Sequence, residues 1–231
     1  MKGKVSKNKF LKVVLPALLV VAIICQAVGF QAVLAKGNVA STSSDSISNL
    51  TDQQLQALTN PILQSYKADS SHKVWKMTND SRLAVLANQT NIENARLQEV
   101  VKLVNSEFVE KEIISSPLAM VYAQEKDVSY GDILIDIDQT SSITSSSNSK
   151  EAYKITIGEN GVRLTGASEN AIMHGLRTIQ NLIITNDGLV YGEIVDYPNV
   201  AERRVHVDCA RKYISKDWFI RQIREMSYMK M

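Results

Sequence analysis

The chain has 231 residues, of which 45% are hydrophobic and 22% charged, a globular composition that excludes disorder throughout and gives room for one large domain or two small ones. Its formal net charge is +2, but the first 35 residues hold five lysines and no acid. Without them 21 basic residues face 24 acidic ones, a net of −3, so no basic surface for nucleic acid is expected in the folded part.

The N-terminal lysines precede an uncharged apolar run from Val13 to Cys25 and then Val33-Leu34-Ala35. This three-part pattern is that of a secretory signal peptide over residues 1–35, cleaved after Ala35; an uncleaved membrane anchor is the alternative, weakened by Gln26 and Gln31. Export sets the redox context. Only Cys25 and Cys209 are present, and the first lies in the signal, so no internal disulfide is available and stability must come from a packed core. Cys209, in an apolar stretch, is expected to be a small buried residue.

Residues 36–50 are rich in Ser, Thr and Asn and read as a tether. Residues 51–66 suggest a short helix broken at Pro61, and SHKVWKMT and SRLAVLAN suggest two strands separated by an Asn79-Asp80 turn. Residues 90–111 predict a helix with Leu97, Val100, Val101, Val104 and Phe108 on one face and Glu99, Lys102 and Glu107 pointing away. YGDILIDID alternates Ile133, Ile135 and Ile137 with acids, a half-buried strand. After a polar loop (SSITSSSNSKE), AYKITIGENGVRLTGAS predicts a hairpin turning at Asn160-Gly161. A second amphipathic helix spans ENAIMHGLRTIQNLIITN, apolar at Ala171, Ile172, Leu176, Ile179, Leu182 and Ile183, with His174 exposed or capping. The sum over residues 51–195 is a small α+β domain, an antiparallel sheet covered by helices.

Beyond it, LVYGEIVDYPNVAERR reads as an extended connector broken at Pro198, and VHVDCA as a short strand. From Lys216 apolar residues recur at Phe219, Ile223 and Met226, with Ile220 and Met229 on the same face; Ser215 is the N-cap and no Gly, Asn or Pro stops the helix. One strand and one helix cannot satisfy a sheet's backbone alone, so residues 196–231 are expected to be the start of an α/β domain that is not complete within these residues.

Three landmarks carry a family resemblance over about residues 70–231. GVRLTGASENAIMHGLRTIQNLI holds Gly175, Leu176, Thr178 and Gln180 in a Gly-Leu-x-Thr-x-Gln pattern. IVDYPNVAERR resembles an Ile-x-Asp-x-Pro-x-Phe-x-x-Arg-Gly connector, with Val200 for Phe and Arg204 for Gly. VHVDCARKYISKDWFIRQIREMSYMKM resembles a first barrel strand and helix up to a Met-x-x-x-Lys-Met motif, with Lys212 for the common His. Together they resemble glycoside hydrolase family 20, the β-N-acetylhexosaminidases. The resemblance implies an α/β chain overall: the α+β domain followed by the first strand and helix of a truncated (β/α)₈ TIM barrel. It implies an exported enzyme acting on glycans ending in N-acetylglucosamine or N-acetylgalactosamine, by a retaining mechanism in which the substrate's acetamido oxygen attacks the anomeric carbon. The catalytic Asp-Glu pair of that mechanism is expected beyond residue 231, so the fragment is expected to be inactive alone.

By its place in the connector, Arg203 matches the family's sugar-binding arginine; without the resemblance it reads as a surface arginine at a strand start. Asp208 and Arg211 match positions for which charge pairing is expected. His206 has no second His or acid at metal spacing, and neither metal nor cofactor is expected. The alternative function is a non-catalytic cell-surface carbohydrate-binding module. No nucleic-acid partner is expected, and no membrane contact apart from export or an N-terminal anchor.

Overall fold

The computed structural model describes residues 47–138, 143 and 149–231. The signal-peptide reading and residues 36–46 of the tether lie outside the described residues, as does most of the polar loop. Of the tether's remainder, Ile47 is buried in the main core. Helix α1 (Asp52–Gln56) follows, started by a reciprocal capping box between Thr51 and Gln54.

The centre of the structure is a seven-stranded sheet. Its strands are β1 (Ser65–Ala68), β3 (Arg82–Leu86), β4 (Ala119–Ala123), β5 (Ile133–Ile137), β6 (Tyr153–Gly158), β7 (Gly161–Gly166) and β9 (Gly192–Asp196), in the order β1-β9-β6-β7-β5-β3-β4. A separate two-stranded ribbon pairs β2 (Val74–Trp75) with β8 (Leu189–Val190). The expectation of an antiparallel sheet is corrected: β1, β9, β6 and β7 pair antiparallel, whereas β7-β5, β5-β3 and β3-β4 are parallel. The reason lies in the connections. Helix α3 (Ala95–Glu110) intervenes between β3 and β4, which lets them run the same way as neighbours; side-chain alternation is identical in both sheet types and carries no direction.

Four strands fall outside the strands expected from sequence: β4 lies in no expected element, β1 begins inside the segment expected to hold a short helix, and β8 and β9 lie in the expected connector, although β9 sits between β1 and β6. Strand β5 is buried along its whole length rather than on one face. Its isoleucines meet helices α3 and α4 (Glu169–Asn186), while Leu134 joins Ala84 and Ala123 in a smaller cluster on the opposite face. The acids between them are satisfied internally: Asp136 accepts from Asn91, itself in the short helix α2 (Gln89–Ile92), and Asp132 pairs with Arg82.

The two amphipathic helices bury the faces their periodicity predicts, and α4 starts and ends where it was expected. Helix 90–111 is instead split into α2 and α3, because Asn88 and Asn94 each cap a new start. Glu107 does not point away; it is buried against Arg177 of α4. The hairpin loop is Glu159-Asn160, with positive φ only at Gly161 (+91°). That is one residue off the expected turn. The VHVDCA strand does not form: residues 205–209 have no secondary structure and no neighbouring strand, and Cys209 is exposed rather than buried. Helix α5 (Lys216–Tyr228) does form, with Ser215 as N-cap. Among the described residues the expected strand over VHVDCA is therefore absent and the expected helix from Lys216 is present.

Close packing at β9 makes a specific demand. Gly192 has φ +147°, and a Cβ there would lie 2.1 Å from the Lys67 carbonyl oxygen of β1. Gly158, at the end of β6, has nothing within 4 Å of the same construction. Gly192→Ala is expected to lower unfolding free energy by about 3 kcal/mol, from backbone strain plus overpacking. Gly158→Ala should stay within about 0.5 kcal/mol of the parent in the same urea titration.

Candidate functional site

The register Tyr153↔Asp196 places the first residue of β6 beside the last residue of β9. Above them, α4 presents Thr178 and His174, and the end of α5 returns to bring in Lys230. Tyr153, Asp196, His174 and Lys230, together with Glu151 and Arg203, line a cavity of about 350 Å³, whose other walls include Ile62, Val200 and Met229.

Lys230 is the unexpected member. Helix α5 stops at Tyr228 without glycine, although the sequence offers no stop signal. Its last turn is closed by Met231 N–H to Met226 O (3.0 Å) and Lys230 N–H to Ser227 O (3.1 Å), with Lys230 in the left-handed region at φ +56°. This is the Schellman arrangement with lysine where glycine is usual, at a conformational cost of about 1 kcal/mol. What offsets it is the side chain: Lys230 is 7% exposed, and its Nζ donates to Asp196 Oδ2 and to the Tyr153 hydroxyl, each at 2.8 Å.

The network around that ammonium is closed. Tyr153 donates its hydroxyl proton to Asp196 Oδ2 at 2.6 Å, so it accepts from Lys230 and from Thr178 Oγ1 (2.5 Å). Asp196 Oδ1 accepts from the Gln64 amide at 3.1 Å. Burial raises the Tyr153 pKa well above its ordinary value, with the Asp196 charge adding to it. Burial also pulls Lys230 below the usual lysine range, against the opposing pull of Asp196.

Arg203, the one sequence-predicted site residue, lines this cavity. Its Nη2 pairs with Glu151, its Nη1 donates to Val200 O (2.7 Å) and its Nε to Lys230 O (3.0 Å). His174, expected exposed or capping, is largely buried instead, in the cavity wall beside Glu151. Its Nε2 lies 3.8 Å from Glu151 Oε2, and its Nδ1 has no hydrogen-bond partner among the described residues. Burial drives its pKa down to about 4; Lys230 and Arg203 push the same way, Glu151 and Asp196 against. The ring is neutral at pH 7.

Helix α5 is held at a second point. Arg177 pairs with Glu107, bonds Ser227 Oγ, and lies 4.2 Å from the centroid of the Tyr228 ring. The rest of α5 is unburied. The charge pairing expected for Asp208 and Arg211 is not formed among the described residues: Asp208 accepts from the Ala210 amide, and both side chains are exposed. No cluster of ligands suited to a metal ion occurs among the described residues, and no helix there is long and apolar enough to cross a membrane.

Of the residues that line the cavity, sequence reading names Arg203 as a site residue and does not name Glu151, Tyr153, His174, Asp196 or Lys230. Three of the landmark residues meet in one network: Thr178 from the helix motif, Asp196 from the connector and Lys230 from the final motif. A signal was available, since each is a polar residue at a motif position in otherwise apolar surroundings.

Two outcomes test this description. Lys230→Met and Asp196→Asn should each destabilise the chain by about 3 kcal/mol, because each strands a buried partner. The double variant should lose clearly less than the sum, as read from a double-mutant cycle in denaturant. His174 takes up a proton in the unfolded chain near pH 6.5 but in the folded one only near pH 4. Stability should therefore fall by about 3 kcal/mol as the pH drops from 6.5 to 4 on this account, and His174→Phe should flatten that slope.

Comparison with known proteins completes the description. A family model described as glycosyl hydrolase family 20, domain 2, matches residues 59–197. Beta-hexosaminidase B of Pseudoalteromonas piscicida is 30% identical over 80 residues, 34% of this chain and 10% of that protein. Among solved structures, the chitobiase of Flavobacterium johnsoniae superposes with a TM-score of 0.61 at 18% identity, over 79% of this chain and 27% of that one. The β-N-acetylhexosaminidase of Streptomyces coelicolor A3(2) gives 0.56 at 17% identity, over 78% and 34%. The chain spans about a tenth of the curated relative and a quarter to a third of these structures.

Proposed function

The chain belongs to glycoside hydrolase family 20, and from that premise we propose that it is part of an exported β-N-acetylhexosaminidase that removes terminal non-reducing N-acetylhexosamine from glycans. The observation that carries the reading is the position of Arg203 in the cavity wall, at the end of the connector whose residues resemble the family pattern.

The chemistry of the cavity supports a neutral, hydroxyl-bearing ligand. Two carboxylates, Glu151 and Asp196, face two cations, Arg203 and Lys230, and His174 is neutral, so the wall carries no net charge. Ile62, Val200 and Met229 add apolar surface of the kind that packs on a sugar ring's C–H face. Three of the five N–H donors of Arg203 are engaged, which leaves two for adjacent sugar hydroxyls. A guanidinium keeps its charge at every pH of interest and offers its donors in a planar fork.

Turnover in the proposed mechanism is substrate-assisted. The acetamido carbonyl oxygen bonds to the anomeric carbon, the glycosidic bond breaks, and a carboxylic acid delivers its proton to the departing oxygen; water then opens the cyclic intermediate with retention. An adjacent Asp-Glu pair performs these steps in the family, and no Asp-Glu dipeptide occurs among the 231 residues. Asp196 does not substitute for it, because its two oxygens are already committed to Gln64, Tyr153 and Lys230. The chain alone is therefore proposed to bind sugar without hydrolysing it, and to be exported through its first 35 residues.

The purified chain should release no chromophore from a chromogenic N-acetylglucosaminide; measurable turnover would mean that the acids have been misplaced. Titration with N-acetylglucosamine, followed by ¹H–¹⁵N NMR, should shift resonances around Arg203. Arg203→Ala should weaken that binding about tenfold, the loss of a charge-assisted pair of hydrogen bonds. Unchanged binding would return Arg203 to the role of a surface arginine.

A further inference from the structure

The seven-stranded sheet ends in β1 on one side and β4 on the other, and the two edges are finished differently. At β1 the Ala68 amide donates to Asp52 Oδ1 of α1 at 3.0 Å, and the Gln64 amide, just before the strand, donates to Asp196. At β4 only the approach is closed. Asn105 of α3 takes both backbone groups of Leu118, accepting from its amide and donating to its carbonyl, each at 2.9 Å. Beyond Leu118 the edge is open. Ala123 O accepts from the Ala87 amide at 2.9 Å, and in the parallel register of β3 and β4 this turns the backbone groups of Ala119, Val121 and Ala123 inward. The N–H and C=O of Met120 and Tyr122 therefore point away from the sheet, and none of the described residues bonds to them.

An exposed strand edge is ordinarily blunted by a lysine, a proline, a bulge or a covering element, because its free N–H and C=O groups template another strand. Strand β4 carries none of these. It reads AMVYA, no charged residue lies between Glu112 and Glu125, and Tyr122 is 48% exposed.

We propose that β4 is a self-association edge, which pairs antiparallel with β4 of a second copy of this chain about a two-fold axis at Val121. The open groups select that register. Met120 then lies opposite Tyr122 of the second copy, and each such pair exchanges two hydrogen bonds, so all four open groups of each chain are engaged. Moving the axis to Met120 sets Tyr122 against Leu118, whose groups Asn105 already holds. Moving it to Tyr122 sets Met120 against Gln124, whose carbonyl already accepts from the Asp127 amide at 3.0 Å. The side chains agree with the backbone. Met120 meets the aromatic ring of the facing Tyr122 on one face, and Val121 meets its own copy on the other. No like charges are opposed, since Glu125 falls opposite Pro117. A second copy fits better than an unrelated strand because donors, acceptors and uncharged flanks are all complementary to themselves about one axis. Five residues a side bury far less than the roughly 800 Å² per partner of a standard interface, so the dimer is weak, with a dissociation constant on the order of 10⁻⁴ M.

The test uses the full 231-residue chain. Sedimentation equilibrium between about 5 μM and about 1 mM should show monomer and dimer in exchange, and Tyr122→Lys, at an exposed position, should weaken association about tenfold or more. Crosslinking reads the register, in a background of Cys25→Ser and Cys209→Ser. Val121→Cys sets two sulfurs across the axis, where the facing Cα atoms of a non-hydrogen-bonded pair stand about 4.5 Å apart, within disulfide range. Ala119→Cys is more exposed, but its two copies stand about 13 Å apart along the strands. In oxidising glutathione the Val121→Cys dimer should form about tenfold faster or more. A chain that stays monomeric at the highest concentration overturns the proposal. So does association that Tyr122→Lys leaves unchanged, or that crosslinks Ala119→Cys as fast as Val121→Cys, the sign of contact through another surface. A monomer whose Met120 and Tyr122 amides exchange slowly with water gives the edge to a different strand and overturns the dimer as well.

Discussion

The arrangement of this protein's C-terminal segment depends on one buried ion pair, Lys230 with Asp196. An ammonium and a carboxylate taken from water lose several kcal/mol of hydration each, and their attraction repays that only when the remaining hydrogen-bonding capacity is filled. Here it is filled by Tyr153, Thr178 and the Gln64 amide. The pair does two things at once. It holds lysine in a backbone conformation that normally calls for glycine, and it fixes the end of α5 against the end of β9. Asp196 at that strand end thus supports both the left-handed Lys230 at the helix stop and the approach of the Lys230 carbonyl to Arg203.

The same constraint explains why so little apolar burial suffices for α5. No residue of that helix is buried, and its contacts to α4 run through Arg177, Ser227 and Tyr228. Arg177 is fully buried and serves both α3, through Glu107, and α5. Two charged residues of the mixed-sheet domain, Arg177 and Asp196, thus hold a segment that the hydrophobic effect does not. In a low-dielectric interior such contacts are directional, which defines position more sharply than apolar packing would.

Much of the domain was legible in the sequence because its signals are local. Helix α4 was delimited by its 3.6-residue apolar period, and the β6-β7 hairpin by two alternating runs around a turn. The errors share one origin. Alternation in β5 says that a strand exists but not how many of its faces are covered or which way its neighbours run, so the mixed sheet read as antiparallel. Glu107 and His174 were assigned to solvent by charge, and the partners that bury them, Arg177 and the cavity wall, are 70 residues or a whole element away. VHVDCA has the composition of a strand, but a strand needs a neighbour to receive its backbone hydrogen bonds, and none of the described residues supplies one.

By itself, the sequence determined the apolar faces of the amphipathic helices, the hairpin, the Ser215 cap and the family pattern that singles out Arg203, since each is written in residues close together along the chain. Tertiary structure alone decided the strand order, the mixed direction of the sheet and the company Arg203 keeps. Glu151, Asp196 and Lys230 are separated by 45 and 34 positions, and their meeting depends on the register of β6 against β9 and on the return of α5. Spacing along the chain encodes a helix face or a turn; it does not encode which charges will share a cavity after the chain has closed on itself.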